Sequence, residues 1–225
     1  MVICKEVTRM YRPGDKDICA LDHVSLSIEQ GEYLAVIGKS GSGKSTLLNM
    51  IGLTDIPSSG DVELFGRNTK ELSEKEKARI RNKHIGYIYQ NFYLEPVYSV
   101  FMNVEVPLLV AGVQKSKREE RVLEVLKQVL KQVGLEERMK HKASQLSGGE
   151  KQRACLARAL VNCPEIILAD EPCGNLDSEN TAMVMDLLDD LHRKGITIIL
   201  VTHSEEEAKR ADRILQLKDG RRMEK

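Results

Sequence analysis

Hydrophobic and polar positions change their spacing several times along the 225 residues. From Val2 to Ile28 short runs alternate, as in Val24-Ser25-Leu26-Ser27-Ile28, around the turn residues Pro13-Gly14-Asp15, which predicts antiparallel strands. Glu32 to Ile37 reads as a buried strand that runs into a glycine-rich turn and then a helix over Lys44 to Ile51. Pro57-Ser58-Ser59-Gly60 reads as a turn and Asp61 to Phe65 as an edge strand. After a short strand at Ile85–Tyr89 the period turns helical from about Val100 to Lys142. There Val122, Leu126, Val129, Leu130 and Val133 share one face, and Pro107 and Gly134 punctuate the run. Beyond it come a strand at Glu165–Ala169, a helix from about Ser178 to Lys194 and a strand at Ile196–Val201. A short helix after His203 and a hairpin turned at Asp219-Gly220 end the series.

Strands that alternate with helices predict an α/β fold with a mainly parallel sheet covered on both faces. The helical stretch between two of the strands reads as an insertion. The expected organisation is one domain over 1–225, with an antiparallel β part and the core in 1–90 and 163–225 and a helical subdomain in 91–162. Composition narrows the classes. Hydrophobic residues at 41% and charged residues at 30% suit a folded core rather than disorder. Lys plus Arg and Asp plus Glu are 34 each, so the net charge is zero and a nucleic-acid partner is not expected. Aromatics at 4%, with no Trp, disfavour a base-stacking surface. No apolar run approaches the roughly 20 residues of a membrane-spanning helix. Met1 leads into Val2-Ile3-Cys4-Lys5 without a leader pattern, and five cysteines lack CxxC spacing, which suggests a reduced, cytosolic protein.

The glycine-rich turn carries chemistry. Gly38-Lys39-Ser40-Gly41-Ser42-Gly43-Lys44-Ser45 fits G-x-x-x-x-G-K-S at every fixed position, between a strand and a helix. Such glycines let backbone N–H groups converge on phosphate oxygens at a helix start. Lys44 is expected on the β- and γ-phosphates and the Ser45 hydroxyl on Mg²⁺, with Thr46 completing the loop. Lys39 takes a free position, its side chain toward solvent. The loop predicts a P-loop core but does not say what the nucleotide is used for.

Two further segments add to it. Ile166 to Glu171 is an apolar strand that ends in two acids. Asp170 at the carboxyl end of a parallel strand suits Mg²⁺, and Glu171 faces another way, where it can polarise an attacking water. Leu146-Ser147-Gly148-Gly149-Glu150 stands before the helix expected over Ala154–Val161 and forms a second anion site from a hydroxyl and glycine N–H groups.

Taken together, these motifs resemble the ATP-binding-cassette (ABC) ATPase family over essentially the whole chain. The resemblance makes Gly38–Ser45 the Walker A loop, Gln90 the Q-loop glutamine and Leu146–Glu150 the signature. It makes Ile166–Glu171 Walker B with its catalytic glutamate, Asp177 the D-loop aspartate, His203 the switch histidine and Tyr11 the aromatic that stacks on adenine. It implies a P-loop NTPase fold, ATP and Mg²⁺ as cofactors, and Mg²⁺ contacts from Ser45, Gln90 and Asp170. It further implies a head-to-tail dimer in which Ser147, Gly148, Gly149 and Glu150 act in trans on the ATP of a second copy. Glu171-Pro172-Cys173-Gly174-Asn175-Leu176-Asp177 and Val104-Glu105-Val106-Pro107-Leu108-Leu109 resemble the MacB, LolD, BceA and FtsE group. That implies a membrane-spanning permease partner, a place on the cytoplasmic face of the membrane, and export of peptides, lipoproteins or drugs, or else ATP-gated regulation without transport. Tyr93, Leu94, Pro96 and Tyr98 are candidates for the partner's groove. Cys173, Glu150 and Ser204 depart from the usual Thr, Gln and Asp.

Overall fold

The computed structural model describes residues 1–12, 14, 16–130 and 138–223, with the side chains of 128–130 left aside. The predicted turn positions Pro13 and Asp15 and the predicted helix positions Val129, Leu130, Val133 and Gly134 therefore lie, wholly or in their side chains, outside the described residues. The chain divides into two compact units: residues 1–81 with 192–225, and residues 82–191.

In the first unit, β1 (Val2–Tyr11) pairs antiparallel with β2 (Ile18–Ile28), from Val2 opposite Ile28 to Tyr11 opposite Ile18. Alternation sets the buried face: Val2, Cys4 and Val7 on β1 and Leu21, Val24, Leu26 and Ile28 on β2 are buried. The segment expected as an edge strand is not one. Here β4 (Ser59–Leu64) pairs with β1 on one side and with the two-residue β5 (Arg67–Asn68) on the other, giving the order β2-β1-β4-β5. The alternation of Asp61–Phe65 reports a one-sided strand but not its neighbours.

The same unit holds β3 (Tyr33–Ile37), whose first four residues are fully buried. It lies parallel between β8 (Thr197–Thr202) and β9 (Arg213–Lys218). A hairpin through Asp219 and Gly220, both at positive φ, joins β9 to β10 (Arg221–Arg222). β3 feeds α1 (Lys44–Ile51), which buries Leu47, Leu48, Met50 and Ile51, and α7 (Glu205–Ala208) follows β8. A helix that periodicity does not predict, α2 (Glu74–His84), has the composition EKEKARIRNKH and a single buried side chain, Lys77, whose ammonium sits 2.8 Å from Glu74.

In the second unit β6 (Ile85–Ile88) pairs parallel with β7 (Ile166–Asp170). The helical stretch resolves into α3 (Val100–Val110) and α4 (Lys115–Leu130), separated at Gly112, which sits at φ 72°. Ser99 caps α3 by accepting from the Met102 amide. Buried Asn103 on α3 accepts from the Glu95 amide at 2.7 Å and donates to the Glu95 and Ser99 carbonyls, which pins the loop after β6 to the helix. The helix expected over Ala154–Val161 begins earlier: α5 runs Gly148–Leu160, so both signature glycines lie inside its first turn. α6 (Ser178–Arg193) follows β7. Among the described residues no helix is long and apolar enough to cross a membrane.

β6 and α5 approach so closely that a Cβ on Gly86 would lie 2.6 Å from the Ala159 carbonyl oxygen and 2.6 Å from Ile167 Cδ1. Backbone cannot yield cheaply there. Gly86→Ala is expected to destabilise the chain by about 1–3 kcal/mol, as overpacking does, which the urea midpoint measures.

Candidate nucleotide-binding site

β3 ends where the phosphate-type loop begins, and the loop's shape depends on absent side chains. Gly38 sits at φ 156°, and a Cβ there would meet the Leu217 carbonyl oxygen at 2.3 Å and Ser42 Oγ at 2.6 Å. Gly43 sits at φ 98°, and a Cβ there would meet the Ala20 carbonyl oxygen at 2.3 Å. Neither position admits any other residue without moving backbone. Lys44 opens α1 almost wholly buried, and its Nζ donates to the Gly38 carbonyl at 2.8 Å and the Lys39 carbonyl at 3.0 Å. Among the described residues Ser42 Oγ, which is buried, has no hydrogen-bond partner. A buried ammonium, an orphaned hydroxyl and a helix N-terminus in one loop together suit an anion. Lys39, Ser40, Gly41 and Ser45 are exposed and Thr46 is half-buried.

Two other predicted residues lie in the same unit. Tyr11 ends β1, half-buried, with its hydroxyl donating to Asp55 at 2.7 Å. His203 follows β8 and is exposed. The Ser204 beside it, where Asp is usual, still caps α7: its Oγ accepts from the Glu207 amide, while Thr202 Oγ1 donates to Glu207 Oε2 at 2.7 Å.

In the second unit β7 buries Ile166 through Ala169 completely and brings Asp170 half-buried to its carboxyl end. Glu171 then takes φ 46°, a left-handed conformation that a non-glycine residue adopts at a cost and that turns its side chain away from the strand's alternation. The Gly174 amide donates back to the Glu171 carbonyl at 3.1 Å and closes the turn. A Cβ on Gly174 would lie 3.2 Å from Gln90 Nε2, and Asn175 Nδ2 donates to the Gln90 carbonyl at 3.1 Å. The structure thus brings Gln90 against the turn that carries Glu171. Next to Gln90, Tyr87 and Tyr89 stack at 3.9 Å between ring centroids, and Tyr89 meets the exposed Tyr93 edge-on at 5.1 Å. Burial, reinforced by the charge of Asp170, pushes the Tyr87 phenol well above its ordinary pKa.

The signature segment starts α5 with a capping box. Ser147 Oγ accepts from the Glu150 amide at 3.3 Å, and Glu150 Oε2 accepts from the Ser147 amide at 2.8 Å. Glu in place of the usual Gln therefore keeps the cap. Helix geometry gives the first-turn amides of Gly148 and Gly149 no acceptor within α5, which leaves them to a ligand. Burial raises the Glu150 carboxyl, but its bonds to Ser147 and the charges of Arg138 and Arg153 outweigh that, and its pKa falls below the usual 4.5. A Cβ on Gly149 would lie 2.1 Å from Asn180 Oδ1. That amide oxygen accepts from Arg153 at 2.8 Å, and the Asn180 amides donate to Asp177, lowering the Asp177 pKa. Asn180 and Arg153, which tie the signature to Asp177, and Arg9 and Asp55 around Tyr11 carry no local sequence signal. They are joined only by the fold.

A strand-loop-helix phosphate cradle, a strand ending in two acids and a second helix start with bare glycine amides define the chain as a P-loop nucleotide-binding cassette. It belongs to the ABC transporter family, whose profile, described as ABC transporter, matches residues 21–174. The chain is 48% identical over 215 residues to the macrolide export ATP-binding/permease protein MacB of Burkholderia thailandensis, covering 96% of this chain but 32% of that protein. It therefore spans about a third of the length of the MacB relatives it matches. It is 46% identical over 220 residues to an uncharacterised ABC transporter ATP-binding protein, MJ1508, of Methanocaldococcus jannaschii, covering 98% of this chain and 96% of that one. Among solved structures, the ATP-binding cassette MJ0796, a dimer in a post-hydrolysis state with ADP and Pi, superposes with a TM-score of 0.92 at 41% identity. That match covers 100% of this chain and 97% of the other. The fold is accordingly that of the ABC ATPase cassettes.

Gly43→Ala is expected to cost about 2 kcal/mol or more, since it adds strain to a backbone clash, and to abolish nucleotide binding; a thermal melt and a nucleotide titration read both. The charge-assisted part of the Glu150 cap contributes fully above pH 4.5 and is lost as pH falls through the lowered folded-state pKa. Protection of the amides at the start of α5, taken as exchange relative to the intrinsic rate at each pH, should fall below that pH in the wild type and not in Glu150→Gln, which keeps the acceptor without the titration.

Proposed function

We propose that the chain is the ATP-hydrolysing motor of a membrane export complex, and that two copies close head to tail on two ATP molecules. The observation that carries this reading is the pair of anion-binding helix starts on one chain, at Lys44 and at Gly148. One nucleotide needs only the first of them, so the second suits the nucleotide of another copy. The dimeric state of the MJ0796 cassette supports it.

In this reading Gly38, Lys39, Ser40, Gly41, Ser42, Gly43, Lys44, Ser45 and Thr46 hold the phosphates through backbone amides. Lys44 exchanges its two carbonyl contacts for phosphate oxygens, and Ser42 Oγ gains the partner it lacks. Tyr11 stacks on the base. The oxygen donors Ser45, Gln90 and Asp170, a hydroxyl, an amide carbonyl and a carboxylate, suit a hard cation such as Mg²⁺. When bound, Mg²⁺ neutralises charge on the β- and γ-phosphates. Glu171 takes a proton from water as its oxygen bonds to the γ-phosphorus and the bond to the β–γ bridging oxygen breaks. Gln90 and His203 orient that water and the γ-phosphate. Ser147, Gly148, Gly149 and Glu150 of one copy contact the γ-phosphate held by the other, with Asp177 at the same junction. Loss of that phosphate removes the charge that bridges the copies, and the pair opens.

The membrane partner is a permease, as the fused architecture named for MacB suggests. Its docking place is a pocket of about 290 Å³ in the second unit, lined by Asn91, Phe92, Tyr93, Leu94 and Pro96 among others. Tyr93 in its lining stands 67% exposed, and an apolar helix of the permease would cover it. The chain then sits on the cytoplasmic face of the membrane, and the cargo is a peptide, lipoprotein or drug chosen by the permease.

Glu171→Gln is expected to lower ATP turnover by about 10²-fold or more, to keep ATP binding, and to shift the chain from monomer to dimer with ATP on size-exclusion chromatography. Turnover at the wild-type rate would remove Glu171 as the base. Ser147→Arg should bind ATP as a monomer yet neither dimerise nor turn over; lost ATP binding would mean that the signature does not act in trans.

A further inference from the structure

Around Tyr11 three side chains form a closed set within the first unit. The Arg9 guanidinium carbon lies over the Tyr11 ring, 4.6 Å from its centroid. Arg9 Nη2 lies 2.8 Å from Asp55 Oδ1, and the Tyr11 hydroxyl donates to Asp55 Oδ2 at 2.7 Å. One carboxylate therefore holds both the cation and the ring it covers. The Arg9 and Asp55 side chains are only 21% and 19% exposed, so solvent weakens these contacts little. Among the described residues buried Arg9 Nε has no hydrogen-bond partner, so the stack on Tyr11 and the Asp55 ion pair account for the placement of the side chain.

Asp55 also connects this set to the phosphate loop. Its amide donates to the Asn49 carbonyl in the last turn of α1, as does that of Thr54. α1 begins at Lys44 in the loop, and its eight residues span about 12 Å. The carboxylate that fixes Tyr11 is thus anchored at the far end of the helix whose near end meets phosphate.

The geometry points to Arg9 and Asp55 as positioning residues for the adenine base: they lock the Tyr11 ring, cover one face and present the other to the nucleotide at a set distance from the phosphate loop. This rests on the reading of Tyr11 as the base-stacking residue. The gain is preorganisation, since a ring already clamped loses little freedom when the base arrives. The guanidinium adds a cation on the covered face, whose attraction to the ring keeps it seated without competing for the open one.

The test compares a ligand that has a base with one that lacks it. ADP and inorganic pyrophosphate, each with Mg²⁺, are titrated against the 225-residue chain by calorimetry; neither is turned over. Tyr11→Ala is expected to weaken ADP about tenfold or more, the scale of base–aromatic stacking. Arg9→Ala is expected to weaken ADP about 5- to 10-fold, the scale of a shielded cation–π contact. Asp55→Asn, which keeps an acceptor for the phenol but releases Arg9, should show a smaller loss in the same direction. Pyrophosphate binding should stay within about twofold for all three, because the phosphate loop is intact. If Tyr11→Ala weakens ADP and Arg9→Ala does not, the positioning role is wrong and the base reading stands. If Tyr11→Ala leaves ADP unchanged, the base reading falls and this proposal with it. Equal losses for ADP and pyrophosphate in Arg9→Ala would make Arg9 a merely structural residue and overturn the proposal. Should Arg9→Ala fail to melt cooperatively, Asp55→Asn carries the comparison under the same criteria.

Discussion

The first unit is organised around a positive charge in the wrong solvent. Lys44 is almost fully buried, and among the described residues its ammonium meets two carbonyl oxygens rather than a carboxylate. Carbonyl dipoles only partly replace water around a cation, so the arrangement is far more favourable once an anion arrives. Every nearby constraint serves to hold that charge in place. Residue 38, just after β3, must be glycine because the Leu217 carbonyl leaves no room for a side chain, and residue 43, just before α1, must be glycine because the Ala20 carbonyl leaves none there. The buried run of β3 and the apolar face of α1 then fix the loop between two rigid elements.

The second unit applies the same rule of reserved space to the residues around Glu171 and Ser147. Gly174 makes room for the Gln90 amide and Gly149 for that of Asn180. In each case a glycine on one segment is filled by a polar side chain from another, so the loop after β6, the turn after β7 and the start of α5 cannot shift independently. Such interlocking suits the proposed relay of a change of phosphate charge to a partner, because packed contacts switch between arrangements instead of stretching.

What sequence reading captured was local. The G-x-x-x-x-G-K-S pattern, with a strand before it and a helix after it, and the short apolar runs of β3, β7 and β8 all follow from neighbours in the chain, and they fall within a residue or so of the observed elements. What it missed was either against propensity or long-range. α2 escaped because its composition offers scarcely any apolar stripe. α5 starts six residues before the helix that the sequence predicts from Ala154, since glycine pairs disfavour helix interiors while the capping box of Ser147 and Glu150 marks the true start. Arg9 and Asp55 are 46 residues apart by number, and Arg153 and Asn180 are 27 apart; no spacing rule joins such pairs. The turn at Glu171 was legible as two adjacent acids, but not its left-handed backbone.

The tyrosine ladder beside Gln90 has an optical consequence. The chain has no tryptophan, so its intrinsic emission comes from six tyrosines alone. Tyr87, Tyr89 and Tyr93 lie close enough to exchange excitation, and Tyr93, the outermost of them, faces solvent in the lining of the pocket proposed for the permease. Any body that covers Tyr93 changes the light from the half-buried rings behind it. The molecule thus carries an unlabelled luminescent gauge of whatever binds at the proposed permease pocket.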